Sequence, residues 1–285
     1  MEKTASQSEQ IFKQLQEHYQ EALTIFPQDR IVGIFVQGSQ NYCLDWEGSD
    51  LDTKCIVLPS FEEICFNKEP VSYTHVRKNN EHIDFKDLRL MMQCFKKQNI
   101  NFVEILFTKY YILNPDYEEL FKKVMDAKEE VAHYNVYKFL KCTSGMSAEK
   151  LKALTLDRPS QHEEVIKYGW ATKQMHHIIR LNEFMCRYLS GESFEKCLVS
   201  KKREELIELK KNGHEKYSLE EAIYQSKIYD FHTKIMKNNY VDTHKEVKND
   251  KIGELIDTVT CDILKGKLKK DILKEEEEHY GKDFF

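Results

Sequence analysis

Two aspartates separated by one residue, Asp50 and Asp52, are the first feature of the sequence that could do chemistry. They precede a short apolar run at 55–57, and alternate residues of a strand point to the same face. Two carboxylates on one face repel each other, and a divalent cation between them would relieve that repulsion. Mg²⁺ prefers such oxygen ligands together with substrate phosphates. A solvated strand edge is the simpler alternative for the pair.

A glycine and a serine precede these aspartates. The run 31–36 is rich in β-branched and apolar residues and ends at Gly38 and Ser39, which predicts a strand followed by a tight turn. Glycine permits close approach of the backbone, so the N–H groups of the turn and the Ser39 hydroxyl could bind a phosphate. The order strand, turn, loop, strand therefore predicts a phosphate site beside a cation site.

The run 38–64, GSQNYCLDWEGSDLDTKCIVLPSFEEI, resembles the signature of the DNA polymerase β nucleotidyltransferase superfamily. Within that superfamily it is similar to a bacterial and phage branch of predicted nucleotidyltransferases, some of them associated with RNA ligases. The branch usually has Gly where this chain has Cys43, and Arg is common where it has Gln40. The resemblance implies an α+β fold, in which a small mixed sheet of the polymerase-β-like palm type is followed by a helical C-terminal half.

The resemblance also implies a third carboxylate on a neighbouring strand. Asp84 lies in a predicted strand at about 81–85 and takes that role, so the catalytic and metal-binding residues would be Asp50, Asp52 and Asp84. They would ligate two Mg²⁺ ions, with Mn²⁺ as an alternative, and Asp84 could accept the proton of the attacking hydroxyl. Asp84 could instead cap the predicted helix 88–98, but Asp87 is better placed as the N-cap.

Four basic residues recur at helical spacing and form one stripe of a predicted helix at 163–189: Lys173, His176, His177 and Arg180. The resembled branch carries a Lys-x-x-x-His-x-x-Arg pattern in this helix. The nucleotide-binding residues that the resemblance implies are Gly38, Ser39, Lys173, His177 and Arg180. A solvated helix face, or salt bridges to Glu104 and Asp116, would also explain the stripe.

Three further features of the sequence each have two possible interpretations. Glu104 lies in an apolar run, where an unpaired charge is costly, so it either pairs with a basic residue or contacts substrate. The cluster 201–203 (Lys-Lys-Arg) is either a phosphate or RNA contact or a solvated helix face. Tyr42 and Trp46, in the loop before the aspartates, could stack on a base or pack on the sheet.

The composition of the 285 residues limits the class of protein. With 41% hydrophobic and 32% charged residues the chain has enough apolar side chains for a core. A net charge of −5 excludes a globally cationic nucleic-acid binder. No stretch approaches the roughly 20 apolar residues of a membrane span. The N-terminus has no apolar signal core, and the eight cysteines form no CxxC pair, so we expect reduced thiols and a cytoplasmic protein without a membrane partner.

We expect a nucleotidyltransferase domain at 1–112, a helical domain at 113–274 and a charged tail at 275–285. The helical half contains predicted helices at 117–128, 131–154 (with a break near Gly145), 163–189, 194–212, 219–237 and 251–273. The implied reaction transfers a nucleoside monophosphate from a nucleoside triphosphate such as ATP to an acceptor hydroxyl. An RNA 3′ end ranks first as acceptor, as in RNA repair. A protein or small-molecule acceptor, or a non-catalytic member that binds nucleotide or RNA, are the alternatives.

Overall fold

The computed structural model describes residues 3–46 and 49–280, with side chains through residue 274. Its described residues contain a five-stranded sheet in the order β3-β4-β2-β1-β5. The strands are Ile31–Gln37 (β1), Asp52–Val57 (β2), Ser72–Val76 (β3), His82–Asp87 (β4) and Tyr111–Leu113 (β5). β2 and β4 are parallel and the other neighbours are antiparallel, which confirms the predicted α+β fold with a small mixed sheet.

Helix α1 (Ala5–Ile25) covers one face of the sheet. Thr4 caps its first turn in a capping box with Gln7, and Leu15 and Ala22 are fully buried against the strands. The opposite face carries Asp52 and packs against the helices that follow. The ring of Phe35 in β1 lies 5.5 Å from that of Phe121, so the sheet and the first long helix of the C-terminal half share a core.

The remaining helices connect the strands and then fill the C-terminal half. They are Phe61–Cys65 (α2), Leu88–Lys96 (α3), Ile100–Val103 (α4), Pro115–Asp126 (α5), Lys128–Ala132 (α6), Val136–Ala153 (α7), His162–Tyr168 (α8), Thr172–Leu189 (α9), Phe194–Leu198 (α10), Arg203–Lys216 (α11), Leu219–Thr243 (α12) and Asp250–Tyr280 (α13). The Asp87 side chain accepts from the Arg89 N–H at the start of α3, so the predicted N-cap is confirmed.

Three predicted helices are divided in the structure. The helix predicted at 163–189 is two helices, because Gly169 adopts a left-handed φ of +81° and ends α8. The break predicted near Gly145 lies instead at 133–135, where Asn135 caps α7. The helix predicted at 194–212 is also two, α10 and α11. No helix of the described ranges is both long and apolar enough to cross a membrane.

The predicted tail begins inside the last helix, since the backbone of 275–280 continues α13. Residues 281–285 of that tail lie outside the described residues.

Candidate functional site

A cleft of about 340 Å³ lies between the sheet and the helical half. Its sheet side is built by the turn after β1 and the residues that lead into β2: Gly38, Ser39, Asp50 and Asp52. Its helical side is built by the beginning of α9 and by one residue of α11: Thr172, Lys173, His176, His177 and Lys210. The structure therefore brings most of the predicted site residues together, although the two sides are more than 100 residues apart in sequence.

The turn after β1 has the backbone conformation that its sequence suggests. Gly38 has a φ of +78°, which glycine adopts without steric cost. The Gly38 N–H donates to the carboxylate of Glu104 at 3.3 Å, and the Asn41 side chain donates to the Val36 carbonyl at 3.0 Å. These bonds hold the turn against the end of β1.

Cys43, in the same loop, also has a left-handed backbone, with a φ of 54°. This conformation explains why glycine suits the position. We expect Cys43→Gly to raise the free energy of unfolding by up to about 1 kcal/mol. A left-handed non-glycine residue costs the folded state roughly 1–2 kcal/mol, and the greater conformational entropy of glycine stabilises the unfolded chain by about 0.4–1 kcal/mol, which offsets part of the gain. Gly38→Ala should lower the free energy of unfolding, because alanine does not easily adopt this left-handed conformation. Urea unfolding of both variants tests this, and a destabilised Cys43→Gly protein would refute the backbone explanation.

The two aspartates of the motif stand at the start of β2. The strand begins at Asp52, so Asp50 lies just before it, and both line the cleft. Asp50 is exposed, and the Asp52 side chain retains 39% of its exposure. Asp52 accepts hydrogen bonds from the backbone N–H of His82 at 3.2 Å and pairs with the His82 Nδ1 at 2.9 Å. Both carboxylates can therefore be reached from the cleft.

Asp84 lies on the neighbouring strand β4, opposite Lys54, and lines a second hollow of about 260 Å³ together with Asp52. It is paired with Lys54 of β2, whose Nζ lies 2.6 Å from its Oδ2, and with the Thr74 hydroxyl at 2.7 Å. Burial alone would raise the pKa of Asp84, but Lys54, Thr74 and Lys86 lower it below its ordinary value. Asp84 is thus an ionised carboxylate that already has a cationic partner.

The helical side of the cleft is cationic and incompletely paired. His176 is 2% exposed and Arg180 is 4% exposed. Both ring nitrogens of His176, and the Nε and Nη1 of Arg180, have no hydrogen-bond partner among the described residues. Buried polar groups are nearly always hydrogen-bonded, so such atoms beside a cleft point to a ligand that supplies the partner.

The pKa values of this side have a common physical cause. Burial lowers the pKa of His176, His177 and Lys210, and the positive charges of Lys173 and Arg180 lower each of them further. α9 also begins here and adds the partial positive charge of a helix N-terminus. A multiply charged anion in the cleft would relieve this repulsion and satisfy the unpaired donors.

Arg180 and Glu104 meet behind the cleft. The Arg180 guanidinium lies 3.9 Å from the centre of the Tyr42 ring. Burial raises the pKa of Glu104 to about 7, although Tyr42, Arg180, Lys54 and the Gly38 N–H favour its ionised form. Glu104 thus connects the turn at Gly38 with the environment of Arg180, and Tyr42 packs inside the protein rather than at the surface.

The raised pKa of Glu104 predicts a pH-dependent stability. Between the ordinary value of 4.5 and about 7, the native carboxyl holds a proton that the unfolded one has lost, so its contribution falls as pH rises. His176 and His177 act oppositely, since their lowered pKa values cost stability in acid. The difference in unfolding free energy between wild type and Glu104→Gln isolates Glu104. We expect this difference in unfolding free energy to fall by on the order of 1 kcal/mol per pH unit between pH 4.5 and about 7, and to become constant at higher pH. A difference independent of pH would contradict the buried, protonated carboxyl.

The basic cluster 201–203 does not line the cleft. The Arg203 guanidinium donates to the Cys43 carbonyl at 2.6 Å, so it anchors the loop that carries the site, and Lys201 pairs with Glu192 at 2.7 Å. Asp116 pairs with Lys270 and takes no part in the basic stripe. Trp46 lines the cleft with 40% exposure, and the Lys211 ammonium lies 4.7 Å from its ring centre.

On the helical side of the cleft, sequence reasoning missed Lys210 and Thr172, and on the sheet side it missed Leu44 and Ser49. A signal for Lys210 existed, because it follows the buried Leu206 by four residues and precedes the buried Gly213 by three. It therefore lies on the inward face of α11, where a lysine needs an anion or a route to water.

No protein-family model matches the chain, and no curated protein matches it. Within the described ranges, no group of three or more His, Cys, Asp or Glu side chains could hold a metal ion by itself.

Proposed function

We propose that this protein is a metal-dependent nucleotidyltransferase of the DNA polymerase β superfamily. One observation carries the proposal: a single cleft combines two accessible aspartates and a glycine–serine turn with a cationic surface of Lys173 and Lys210 on the opposite side, beside the buried His176 ring, which has no hydrogen-bond partner among the described residues. Carboxylates suit a hydrated divalent cation, and the cationic surface suits a polyphosphate. A nucleoside triphosphate with its cation needs both sides at once.

Each side has a separate task in the proposed reaction. Ser39 and the turn at Gly38 bind phosphate oxygens from the sheet side, while Lys173, His177 and Lys210 bind them from the helical side. An acceptor hydroxyl attacks the α-phosphorus, the bond from that phosphorus to the bridging oxygen breaks, pyrophosphate leaves, and the hydroxyl proton passes to water in the open cleft. The fixed positive charges stabilise the negative charge that moves onto the leaving pyrophosphate.

The donor set fits Mg²⁺, or Mn²⁺ in its place. Asp50 and Asp52 are exposed or half-exposed carboxylates on one side of the cleft and would hold the cation, while Asp84, the third carboxylate that the resemblance implies, lies in the adjoining hollow and is paired with Lys54. The bound cation would lower the pKa of the acceptor hydroxyl and neutralise phosphate charge. Asp52 keeps its place through two bonds to His82, so this carboxylate is already oriented.

We rank an RNA 3′ end first as acceptor. The exposed ring of Trp46, on the rim of the cleft beside Lys211, suits a stacked base next to a phosphate. A protein or small-molecule hydroxyl remains the second candidate, since the net charge of −5 does not favour a polynucleotide partner.

Transfer of label tests the proposal. The full chain is incubated with each α-³²P-labelled ribonucleoside triphosphate, Mg²⁺ or Mn²⁺ and a mixed RNA pool, beside Asp50→Ala/Asp52→Ala. We expect label on RNA with the intact aspartates only. Label on protein instead would select the second acceptor class. Transfer by the double variant at the wild-type rate would exclude the proposed site.

A further inference from the structure

Lys54 is a buried lysine on the catalytic face of the sheet, only two residues after Asp52. It is 2% exposed, and alternation along β2 places its side chain on the same face as that of Asp52. In the register of the sheet Lys54 lies opposite Asp84, just as Asp52 lies beside His82. Its ammonium is held between the Asp84 carboxylate at 2.6 Å and the Phe102 ring at 4.4 Å.

Because of Lys54, the carboxylates of the site differ in whether a cationic side chain already neutralises them. Asp84 already has a permanent cation and the Thr74 hydroxyl as partners. Among the described residues, Asp52 is hydrogen-bonded to the backbone N–H and the imidazole of His82, and Asp50 is exposed to solvent. A divalent cation at Asp84 would have to displace the Lys54 ammonium. That ammonium would then be left buried without its carboxylate, which is unfavourable. A cation at Asp50 and Asp52 meets no such obstacle.

We propose that Lys54 is a positioning residue that takes the place of a divalent cation at Asp84. The free protein then binds one divalent cation, through Asp50 and Asp52, and Asp84 remains the partner of Lys54. The inference rests on the proposed function, because it supposes that Asp50 and Asp52 bind a cation. The unpartnered His176 ring on the facing side of the cleft independently indicates that a polar ligand enters here.

Mn²⁺ binding, measured by electron paramagnetic resonance of the free ion without nucleotide, tests the inference apart from activity. We expect one Mn²⁺ per wild-type chain. Asp84→Asn should leave the dissociation constant within about twofold, while Asp52→Asn should raise it at least about tenfold, since a lost charged contact is worth roughly 1.5–3 kcal/mol. Lys54→Met should bind a second ion, and Lys54→Met/Asp84→Asn should return to one.

Lys86→Met is the matched control, because the Lys86 ammonium also lies near the Phe102 ring, at 5.3 Å, but its hydrogen-bond partner is the Ser72 hydroxyl. It should bind one ion like wild type. Should Lys54→Met fail to fold, Asp84→Asn decides the question alone. Two ions in wild type, with one lost in Asp84→Asn, would overturn the role of Lys54 but keep the proposed function. Absence of Mn²⁺ binding in wild type, or binding that Asp52→Asn leaves unchanged, would overturn both.

Discussion

Asp52→Asn should lower the rate of nucleotidyl transfer by on the order of 10³-fold, the scale seen when one preorganised charge interaction at a reacting centre is lost. The substitution removes the negative charge that would hold the proposed cation and keeps the volume of the side chain. The Asn oxygen can still accept from the His82 N–H, which now lies 3.2 Å from the Asp52 carboxylate. We therefore expect the melting temperature to change little while turnover nearly disappears.

Asp242→Asn is a suitable control, because Asp242 is an exposed aspartate of α12. It should keep wild-type turnover. Single-turnover rates with saturating triphosphate compare the three proteins. If Asp52→Asn retained more than about a tenth of the wild-type rate, Asp52 would not be the residue that organises the reaction.

Lys210→Met should weaken binding of a nucleoside triphosphate by about 10–100-fold, since a charge-assisted contact to phosphate is worth roughly 1.5–3 kcal/mol. The same change should make the free protein more stable. Burial and the charges of Lys173 and Arg180 lower the pKa of Lys210, which means that its ammonium is held against both desolvation and repulsion. Residues that bind ligands often reduce stability in this way.

The two effects of Lys210→Met have opposite signs, and a purely structural lysine would not produce them together. Binding is measured by calorimetry, and stability by thermal unfolding without nucleotide. Lys201→Met serves as the control, because Lys201 pairs with Glu192 outside the cleft and should affect neither quantity strongly. Unchanged affinity in Lys210→Met would remove α11 from the nucleotide site.

The sheet side of the site could be predicted because its signals are local. The apolar run before Gly38 predicts β1, and the left-handed turn needs a glycine there. The i, i+4 and i+7 spacing of Lys173, His177 and Arg180 predicts one helix face, and α9 places them there. The spacing does not reveal how deeply each of these side chains is buried. Lys173 and His177 line the cleft, while Arg180 lies behind it, over the Tyr42 ring.

The contacts that sequence reasoning missed join distant segments. Glu104 reaches the Gly38 N–H across 66 residues, and Arg203 reaches the Cys43 carbonyl across 160. The pairing of Lys54 with Asp84 depends on the parallel register of β2 and β4, and a shift by one residue would place Lys54 opposite an apolar neighbour. Such registers are set by the packing of the whole sheet, so no short pattern in the sequence encodes them.

The most direct test of the central claim is a comparison of two ligands at equilibrium. The claim is that the aspartate side and the cationic side of one cleft bind the same polyphosphate. The full chain is titrated calorimetrically, in Mg²⁺, with a non-hydrolysable nucleoside triphosphate and with the corresponding monophosphate. We expect the triphosphate to bind at least about tenfold more tightly, and to lose that advantage in Lys210→Met and in Asp52→Asn. Equal affinities for the two ligands, or an advantage that survives both substitutions, would contradict the claim.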